Sequence, residues 1–424
     1  MKLQNEVIDK KKIKFCKRCL YSNLHPLGIT FNNEGICSGC EIHEEKDKLD
    51  WDFKWNKLKK IIHPYKSKLN KNYDCVVPVT GGQDSYYIVH LVKKLGLKPL
   101  LVTYNKYFNT KTGIDNLANL RIQFDCDILY QNINPNSVKK ITRHTLMEEG
   151  NFYWPILAGH TVFPVQIASK YKIPLIIWGA HQGLEQVGMF SHNHEIEMTR
   201  RYREDHDLFG LEAQSLISIN NILKEEDIFQ YQYPSDSEIN SVGIRGIYLG
   251  NYVRWDPLNQ HKEMVKKYKY KSIKFNRTFD IYDYVDCFNY MDLHDYLKLC
   301  KHGYSKVTDH ATREIRYKRI TRDEGLYLVK KYELNMPIYT KLFIEWLGLS
   351  SQKSLKYIIN RSRNTNFWNE SGIDNWKFSG LSTLIKTNKK VYNIEKKIGK
   401  LFNSTKSIQR ENKSKYIIFG KGFY

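Results

Sequence analysis

The stretch Tyr73–Gly96, YDCVVPVTGGQDSYYIVHLVKKLG, decides the fold of this chain. It begins with an apolar run and ends with apolar residues at helical spacing, so it predicts a strand followed by a helix. Between them lies the turn Thr80, Gly81, Gly82, Gln83, Asp84, Ser85. Paired glycines let the backbone approach a ligand, and a helix begins with unpaired N–H groups. The turn is suited to a phosphate group, with an ordinary tight turn as the alternative.

The order of residue types in this turn resembles the PP-loop signature, Ser-Gly-Gly-x-Asp-Ser, of the ATP pyrophosphatases. The resemblance implies that Thr80–Ser85 binds ATP, which these enzymes cut between its α and β phosphates while they adenylylate a carbonyl oxygen. Thr80 replaces the first serine of the signature, keeping the hydroxyl and adding a methyl group. The Walker pattern GxxxxGK[ST] is absent, which speaks against a kinase or GTPase built on that loop.

Further strands and helices are predicted to alternate after the turn. Strands are expected over residues 99–105, 127–130 and 173–178, with helices over 116–123 and 158–171. Strands that alternate with helices form parallel sheets, and such sheets bind ligands at the carboxyl ends of their strands. We therefore expect Thr103, Tyr104 and Asn105 to lie beside the nucleotide, although a polar strand end is also ordinary.

The strand ending at Trp178 leads into Gly179-Ala180-His181-Gln182-Gly183-Leu184-Glu185. A glycine with a glutamate six residues later resembles a loop of other PP-loop enzymes, in which the acid helps to hold magnesium on the pyrophosphate. By this resemblance Gly179 contacts ATP, and Glu185 joins Asp84 in binding Mg²⁺, which prefers carboxylate and phosphate oxygens. The alternative is that Glu185 merely starts a helix.

Two Cys-x2-Cys pairs lie near the start of the chain, separated by seventeen residues. This spacing predicts a tetrahedral site with four thiolate ligands, as in zinc ribbons. A small iron–sulfur cluster is the competing interpretation. Because cysteine fills every position, the site is expected to be structural; its ligands are Cys16, Cys19, Cys37 and Cys40.

The composition indicates a cytoplasmic protein that does not span a membrane. Residues 1–14 are polar and charged without the apolar core of a secretory signal, and no segment approaches a membrane span. The net charge of +22 permits nucleic-acid binding. However, lysines are scattered through every segment and no basic run interleaved with aromatics stands out, so nucleic acid is not the expected partner.

Residues 292–319 form a second informative stretch. Cations packed densely around one glycine and one Asp-His pair suit an anionic ligand such as a nucleotide diphosphate. A solvated basic helix is the alternative. The residues predicted to bind this ligand are Lys298, Lys301, Asp309, Arg313 and Arg316.

Together these segments resemble the N-acetyl sugar amidotransferases of bacterial surface-polysaccharide biosynthesis. The resemblance covers about residues 14–360 and rests on CxxC…CSGC, YDCVVPVTGGQDS, PLLVTYN, NLANL, the IIWG loop, GIYLGNYVRW, LHDYLK and TDHATREIR. Departures are Thr80, Ala180-His181 where the family commonly has Glu-Asn, and a long C-terminal extension. The second departure puts nucleotide contacts in that loop in doubt.

The resemblance implies an α/β fold with a parallel-sheet PP-loop core, of the adenine nucleotide alpha-hydrolase-like kind. An N-terminal four-cysteine zinc ribbon and a mainly helical C-terminal region would flank the core. The expected domains are residues 1–50 for the zinc ribbon, 51–260 for the core and 261–424 for the substrate-binding region and extension.

By the same resemblance, the enzyme converts an acetamido group on a nucleotide-linked N-acetyl sugar into an acetamidino group, in lipopolysaccharide, capsule or nonulosonate biosynthesis. ATP yields AMP and pyrophosphate, with Mg²⁺ as cofactor and structural Zn²⁺. Ammonia comes from a partner glutamine amidotransferase, with a cyclase-like channel subunit as a further expected partner, because no cysteine outside the four-cysteine cluster has the glycine-rich setting of a nucleophile elbow. The expected catalytic residues are Asp84, Ser85, Lys301, His310 and Arg313, with His310 as the proton acceptor for the incoming ammonia.

Two rival functions fit parts of the same sequence. A tRNA-thiolating PP-loop enzyme also pairs cysteine knuckles with this loop; it would need a reactive cysteine beside the loop and RNA binding that weakens with salt. A zinc-ribbon scaffold that binds nucleotides would bind ATP without releasing AMP.

Overall fold

The fold is described from a computed structural model of the chain. It describes residues 7–66, 71–208, 210–217, 222–349, 351–372, 374–386, 391–402 and 407–408. The first six residues of the polar N-terminal segment and the end of the C-terminal extension therefore lie outside the described residues.

A five-stranded parallel sheet forms the centre of the molecule, in the order β3-β2-β1-β4-β5. In β1, Val76 pairs with Leu100 of β2 on one side and with Ile176 of β4 on the other. The strands are β1 (Cys75–Pro78), β2 (Pro99–Tyr104), β3 (Ile128–Gln131), β4 (Leu175–Trp178) and β5 (Arg245–Tyr248). The chain order reverses at β1, so the crevice between the ends of β1 and β4 is where such sheets bind ligands.

Helices cover both faces of the sheet, and the alternation of side chains in β1 shows why. Val77 points into a core formed with Val89 and Val92 of the following helix. Val76 points to the opposite face, into a second core that contains Phe163. Successive residues of a strand face opposite sides, so this continuous apolar run is the pattern of a strand buried on both faces.

The helices up to the end of the sheet are α1 (Ser38–Glu45), α2 (Trp51–Ile62), α3 (Gln83–Lys94), α4 (Lys111–Phe124), α5 (Pro135–Glu149), α6 (Trp154–Lys170), α7 (Arg200–Tyr202), α8 (Ala213–Ile217), α9 (Glu225–Ile228) and α10 (Asp236–Val242). Two π-helical turns, Gly183–Val187 and Arg203–Asp207, lie between β4 and α8.

After the sheet the chain is mainly helical. Its helices are α11 (Pro257–Tyr268), α12 (Asp295–His302), α13 (Lys306–Arg316), α14 (Arg322–Tyr332), α15 (Thr340–Trp346), α16 (Ser351–Ser362), α17 (Leu381–Leu384) and α18 (Ile394–Phe402). The short strands β6 (Ser272–Ile273) and β9 (Ser407–Ile408) pair in parallel, and β7 (Trp368–Gly372) and β8 (Asn375–Phe378) form a hairpin.

The predicted fold class is confirmed. The parallel sheet, the strand-turn-helix unit at residues 75–94, the clustered N-terminal cysteines and the helical C-terminal region are all present. The helix expected over 116–123 begins five residues earlier, because Thr110 caps it by accepting a hydrogen bond from the N–H of Gly113. The domain boundaries at 50 and 260 stay a prediction. None of the helices in the described ranges has the length and apolar content that a bilayer crossing requires.

Candidate active site at the carboxyl edge of the sheet

The predicted phosphate-binding turn connects β1 to α3. The N–H of Thr80 donates to Oγ of Ser85 at 2.8 Å, and the N–H of Gly82 donates to Oγ1 of Thr80 at 3.0 Å. The hydroxyl oxygens of Ser85 and Thr80 thus accept hydrogen bonds from the backbone of the turn itself. The turn is preformed, which lowers the cost of binding a ligand there.

Close backbone packing explains why the first glycine of the turn, Gly81, cannot be a residue with a side chain. A Cβ atom at Gly81 would lie 2.3 Å from the carbonyl oxygen of Gly113, in the first turn of α4. A Cβ atom at Gly113 would in turn lie 2.4 Å from Cα of Asp286. Three backbone segments are thus stacked without room for side chains, and Asn116 Nδ2 secures the stack by donating to the Gly81 carbonyl at 3.2 Å.

Three cavities meet around the turn. The largest, of about 480 Å³, lies at the ends of β2 and β3 and is lined by Thr80, Gly81, Thr103 and Tyr104, among others. A crevice of about 170 Å³ lies between the ends of β1 and β4. A charged cavity of about 250 Å³ lies on the other side of the turn, at Asp84.

The 480 Å³ cavity contains the strand-end residues predicted to lie beside the nucleotide. Thr103 and Tyr104 both line it, while the ring of Tyr104 also packs on Gly159 of α6 and the hydroxyl groups of Tyr104 and Tyr231 form a hydrogen bond of 2.7 Å. Asn105, 6% exposed, has an Nδ2 group without a partner among the described residues. A ligand in this cavity would meet one buried amide donor that needs an acceptor.

The 170 Å³ crevice is mostly apolar. Gly179, predicted to contact ATP, lines it together with Thr80 and Thr103. A Cβ atom at Gly179 would lie 2.9 Å from Ile88 of α3, so a side chain there would crowd the crevice. The crevice occupies the position between β1 and β4 that the strand order assigns to ligands.

The charged cavity brings together many of the predicted catalytic and substrate-binding residues. Its walls come from the turn, the loop after β4, and α13 with the segment before it. They include the predicted residues Asp84, Glu185, Asp309, His310, Arg313 and Arg316. The sequence analysis did not single out Asp283 and Lys306, which also line this cavity.

Asp84 projects from the first turn of α3 into this cavity, where solvent reaches it. Although one side of Asp84 is open to the cavity, loss of water to the surrounding protein raises the pKa of its carboxyl to about 7, and the negative charge of Asp283 adds to that effect. Arg313 opposes the shift, while Glu185 contributes to it. A carboxylate held among other acids is stabilised by a bound cation.

Glu185, the second predicted magnesium ligand, lies in the π-helical turn Gly183–Val187. One carboxylate oxygen forms an ion pair with Lys46, which is 1% exposed, and Oε1 is buried without a partner among the described residues. Apart from the cysteine cluster, no three acidic, histidine or cysteine ligand atoms within the described ranges lie close enough to hold an ion. A cation between Asp84 and Glu185 would therefore depend on oxygens from its ligand.

His310, the predicted proton acceptor, has both ring nitrogens engaged. Its Nε2 lies 3.1 Å from a carboxylate oxygen of Asp283, and its Nδ1 lies 2.7 Å from the hydroxyl of Thr278. The ring is 3% exposed. To take a proton from a ligand, the imidazole must exchange one of these partners.

The two predicted arginines of α13 are already paired. Arg313 forms ion pairs with Asp280 and, at 2.9 Å, with Glu314, both fully buried. Arg316 donates to the carbonyls of Glu185 at 3.1 Å and Gln186 at 2.8 Å. Both line the cavity, but much of their hydrogen-bonding capacity is used within the protein.

The predicted lysines differ in position. Lys298 pairs with Asp309 at 2.5 Å, and Asp309 also accepts a hydrogen bond from the Tyr21 hydroxyl at 2.9 Å. Although burial alone would raise the pKa of Asp309, Lys298 and Lys306 lower it to about 2. Lys301 does not line the charged cavity: its ammonium donates to the carbonyl of Gly150, and burial lowers its pKa to about 8.

The four predicted cysteine ligands form one buried cluster. Their sulfur atoms all lie within 4.8 Å of one another, with Cys16 3.9 Å from Cys40 and Cys19 3.6 Å from Cys37. Backbone N–H groups of residues 18, 19 and 37 point at Cys16 Sγ, each at 3.4 Å. The set suits a structural metal with four thiolate ligands, either Zn²⁺ or an iron–sulfur cluster.

The residues that the sequence analysis missed are mostly acids opposite the turn. Asp280, Asp283 and Asp286 are spaced by three in a run of aromatic residues. Asp280 pairs with Arg313, Asp283 contacts His310, and Asp286 forms a buried pair with Lys106. Regular acid spacing in an otherwise apolar segment is the signal that would have found them.

Comparison with known proteins gives one family match. Residues 265–381 match the family model described as "LPS biosynthesis protein WbpG-like, C-terminal domain". No curated protein matches the chain. Eight solved chains match, among them the structure of NMN synthetase from Francisella tularensis, which is 14% identical with a TM-score of 0.26, over 46% of this chain and 93% of that chain.

The family match includes α12, α13 and the acidic segment 280–286, so it covers most of the charged cavity's C-terminal wall. The description of that family names lipopolysaccharide biosynthesis. Residues 265–381 are therefore similar to a WbpG-like C-terminal domain, which agrees, over this part of the chain, with the predicted resemblance to a family of surface-polysaccharide biosynthesis.

Proposed function

We propose that this protein is an ATP-dependent amidotransferase that converts the acetamido group of a nucleotide-linked N-acetyl sugar into an acetamidino group. The observation that carries the proposal is the position of the Thr80–Ser85 turn between a nucleotide-sized cavity and a charged cavity, the latter walled by the WbpG-like domain. The proposal concerns an enzyme of surface-polysaccharide biosynthesis.

The 480 Å³ cavity supports the position of ATP. Its volume is within the range of about 300–1,000 Å³ that is usual for small-molecule sites, whereas the other two cavities are smaller. We place the nucleoside there, with the free Nδ2 of Asn105 as a donor. The phosphates then cross the turn, whose N–H groups and the positive end of α3 favour negative charge.

The charged cavity supports release of pyrophosphate beyond the turn. Asp84 and Glu185 would hold Mg²⁺ together with phosphate oxygens, and the ion would neutralise charge that develops on the leaving group. Arg313 and Lys306 add positive charge from the opposite wall. Ser85 keeps the turn in shape through its bond to the Thr80 N–H.

The chemistry needs two steps because an amide oxygen is a poor leaving group. The amide oxygen attacks the α-phosphorus of ATP, the bond to pyrophosphate breaks, and an O-adenylylated imidate forms. Ammonia then attacks the imidate carbon, AMP leaves with the oxygen, and one proton is lost to give the amidine. Much of the acceleration comes from holding ATP and the amide in line.

Positive charge around α13 supports a phosphorylated acceptor. Lys306 lines the cavity, with its ammonium 2.8 Å from the Tyr290 hydroxyl and 4.0 Å from the centre of that ring. Interaction with Tyr290 and Asp309 raises the pKa of Lys306 to about 12 although burial alone would lower it. The ammonium is thus charged at neutral pH and available to a diphosphate.

The environments of the cysteines support an external source of ammonia. Cys75, directly before the turn, is fully buried, and burial raises the pKa of its thiol. Burial also raises the pKa of the Cys287 thiol and of Cys300, the latter to about 12. A glutaminase nucleophile needs the opposite shift. We therefore propose a separate glutamine amidotransferase, with a cyclase-like channel subunit as a possible third component.

The test combines the purified protein with ATP, an ammonium salt and a panel of UDP- and CMP-linked acetamido sugars. We expect AMP, pyrophosphate and a sugar in which NH replaces the amide oxygen. Formation of ADP, or AMP without a modified sugar, would contradict the proposal. Sulfur transfer to tRNA would favour the thiolating rival, and ATP binding without turnover of any acceptor would favour the scaffold.

A further inference from the structure

The π-helical turn that carries Glu185 packs directly on the second cysteine knuckle. The Ser38 hydroxyl donates to the Val187 carbonyl at 2.6 Å. A Cβ atom at Gly39 would lie 2.6 Å from the Gln186 carbonyl oxygen, and one at Gly188 would lie 2.4 Å from that of Ser38. The two backbones are in contact, so the shape of the knuckle and the shape of the turn depend on each other.

Arg316 joins the same two elements from α13. One terminal nitrogen donates to the carbonyls of Glu185 and Gln186, at 3.1 and 2.8 Å. The other lies 3.7 Å from Sγ of Cys37. The residue is 7% exposed, so its charge is largely removed from water and depends on these partners.

A third connection starts at the end of α1, the helix that contains Cys40. Lys46 follows this helix and forms its ion pair with the carboxylate of Glu185. Its ammonium also donates to the carbonyl of Trp255 at 3.3 Å. Both the backbone and the side chain of Glu185 are thus held by groups next to the cysteine cluster.

We propose that the metal-bound cysteine cluster positions Glu185, and that Arg316 is the positioning residue that transmits the fixed geometry of Cys37 to the turn Gly183–Val187. The significance of Glu185 for ATP rests on the proposed function; the mechanical link does not. Four thiolates around a divalent ion would retain a charge of about −2, which would attract the Arg316 guanidinium that lies between Cys37 Sγ and the two carbonyl oxygens.

The first test is amide hydrogen exchange of the full chain with and without its metal. The diagnostic amides are those of Leu184 and Glu185, which donate to the His181 carbonyl at 3.0 Å each, and Met189, which donates to Gly183 at 2.7 Å. We expect removal of the metal by a chelator to speed their exchange by about tenfold or more, with recovery on Zn²⁺ addition. Unchanged rates would overturn the proposal.

A matched pair of variants separates this link from general loosening. Arg316→Gln should speed the same amides about tenfold while the metal is retained. Arg322 donates to the carbonyls of Cys16 and Cys19, at 3.3 and 3.0 Å, both of which belong to the first knuckle. Arg322→Gln should leave the turn unchanged. The proposal would be overturned if both variants speed exchange of these amides equally, or if Arg316→Gln does not speed it at all. If Arg316→Gln loses its metal or fails to fold, Arg316→Lys takes its place in the same measurement.

Calorimetric binding of ATP at several Mg²⁺ concentrations gives the second measurement. Arg316→Gln should raise the Mg²⁺ concentration needed for half-maximal ATP affinity, with affinity recovered at high Mg²⁺, and Arg322→Gln should not. A change in exchange without any ATP binding to the wild-type chain would refute the proposed function and leave the positioning link intact. An unchanged Mg²⁺ requirement in Arg316→Gln would overturn the role of Arg316 in placing Glu185.

Discussion

The glycine turn and the charged cavity meet at Asp84 but are held in place differently. The turn is fixed by contacts between backbone segments and by short hydrogen bonds within six residues. The cavity is fixed by ion pairs between parts of the chain that lie far apart in sequence, such as Lys46 with Glu185 and Arg313 with Asp280. The hydrogen bonds of the turn are thus local in sequence, whereas its backbone packing and the ion pairs of the cavity depend on the whole fold.

This difference has a consequence for how each region responds to mutation. The turn has no room for an added side chain, because the Gly81 backbone packs on Gly113 and the Gly113 backbone packs on Asp286. In the cavity a charged group such as Arg313 has several ion-pair partners, so the remaining partners can still neutralise it when one of them is removed. Substitutions at the turn should have large effects, and those at the cavity wall should have graded effects that depend on pH and ionic strength.

The largest effect is expected at Asp84, where the two regions meet. Asp84→Ala removes the proposed cation ligand, so AMP release should fall by about 10²-fold or more. The fold should persist, because solvent reaches this side chain. The control is Asp115→Ala, which removes a partly exposed carboxyl paired with Lys111 and Lys271 at 3.1 Å. Turnover of Asp84→Ala equal to that of the control would refute the role of the turn.

The buried pair behind the turn should dominate stability. Lys106 and Asp286 are 4% and 6% exposed, so Lys106→Met leaves an unpaired buried charge and should cost about 3–5 kcal/mol of unfolding free energy. The matched control is Lys267→Met, whose partner Glu263 is 2.6 Å away and more than a third exposed; its loss should cost less than about 0.5 kcal/mol. Chemical denaturation measures both.

A double variant shows whether the cost comes from the unpaired charge. Lys106→Met with Asp286→Asn removes both charges and should recover much of the lost stability. If the double variant is as unstable as the single one, the cost comes from the lost hydrogen bond between the two groups and not from an unpaired charge, because methionine keeps most of the apolar stem of lysine.

Much of the turn side of this comparison was predictable from sequence. The apolar run before Thr80, the helical spacing after Ser85 and the two Cys-x2-Cys pairs are local patterns with local physical causes, and the structure confirms the elements they predict. Whether the candidate residues act as predicted stays untested.

The charged side could be predicted only in part. The sequence shows that Arg313 and His310 lie close together, but it does not show that Asp280 and Asp283 face them. Lys46 and Glu185 are 139 residues apart, and no local pattern pairs them. Such pairs depend on how the cysteine head and α13 pack on the sheet, which periodicity does not encode. Lys301 shows the converse: its sequence neighbours lie near the cavity, yet its ammonium binds Gly150.

The pH dependence of ATP binding should show whether the ionised carboxylate of Asp84 is needed at the point where the turn and the charged cavity meet. Because the pKa of Asp84 is raised to about 7, its carboxyl is protonated below that pH and ionised above it. Mg²⁺-dependent ATP binding should therefore weaken about tenfold from pH 8 to pH 6. ATP itself titrates in this range, so Asp84→Asn gives the baseline; an identical pH profile in both proteins would contradict the assignment.

The raised pKa values of buried acids also determine whether the free energy of unfolding rises or falls with pH. An acid with a higher pKa in the folded protein favours folding while it is protonated, and this contribution is lost as pH rises from about 4 to about 7. Burial also raises the pKa values of Asp292 and Glu333 to about 7. Unfolding free energy should accordingly decline as pH rises from about 4 to about 7, and Asp292→Asn should reduce that decline.

The smallest effect is expected at Lys306, in the part of the charged cavity where we place the sugar nucleotide. Lys306 lines the cavity and Lys301 does not, so Lys306→Met should raise the KM for the sugar nucleotide about fivefold, the effect of one partly solvated charge. Lys301→Met should change it less, because its ammonium is used by the Gly150 carbonyl. Steady-state kinetics at low and high salt measure both, and the effect of Lys306 should shrink as salt screens it. If Lys301→Met raises the KM for the sugar nucleotide more than Lys306→Met does, Lys301 has the substrate-binding role predicted from the sequence, and the sugar nucleotide binds closer to α12 than proposed.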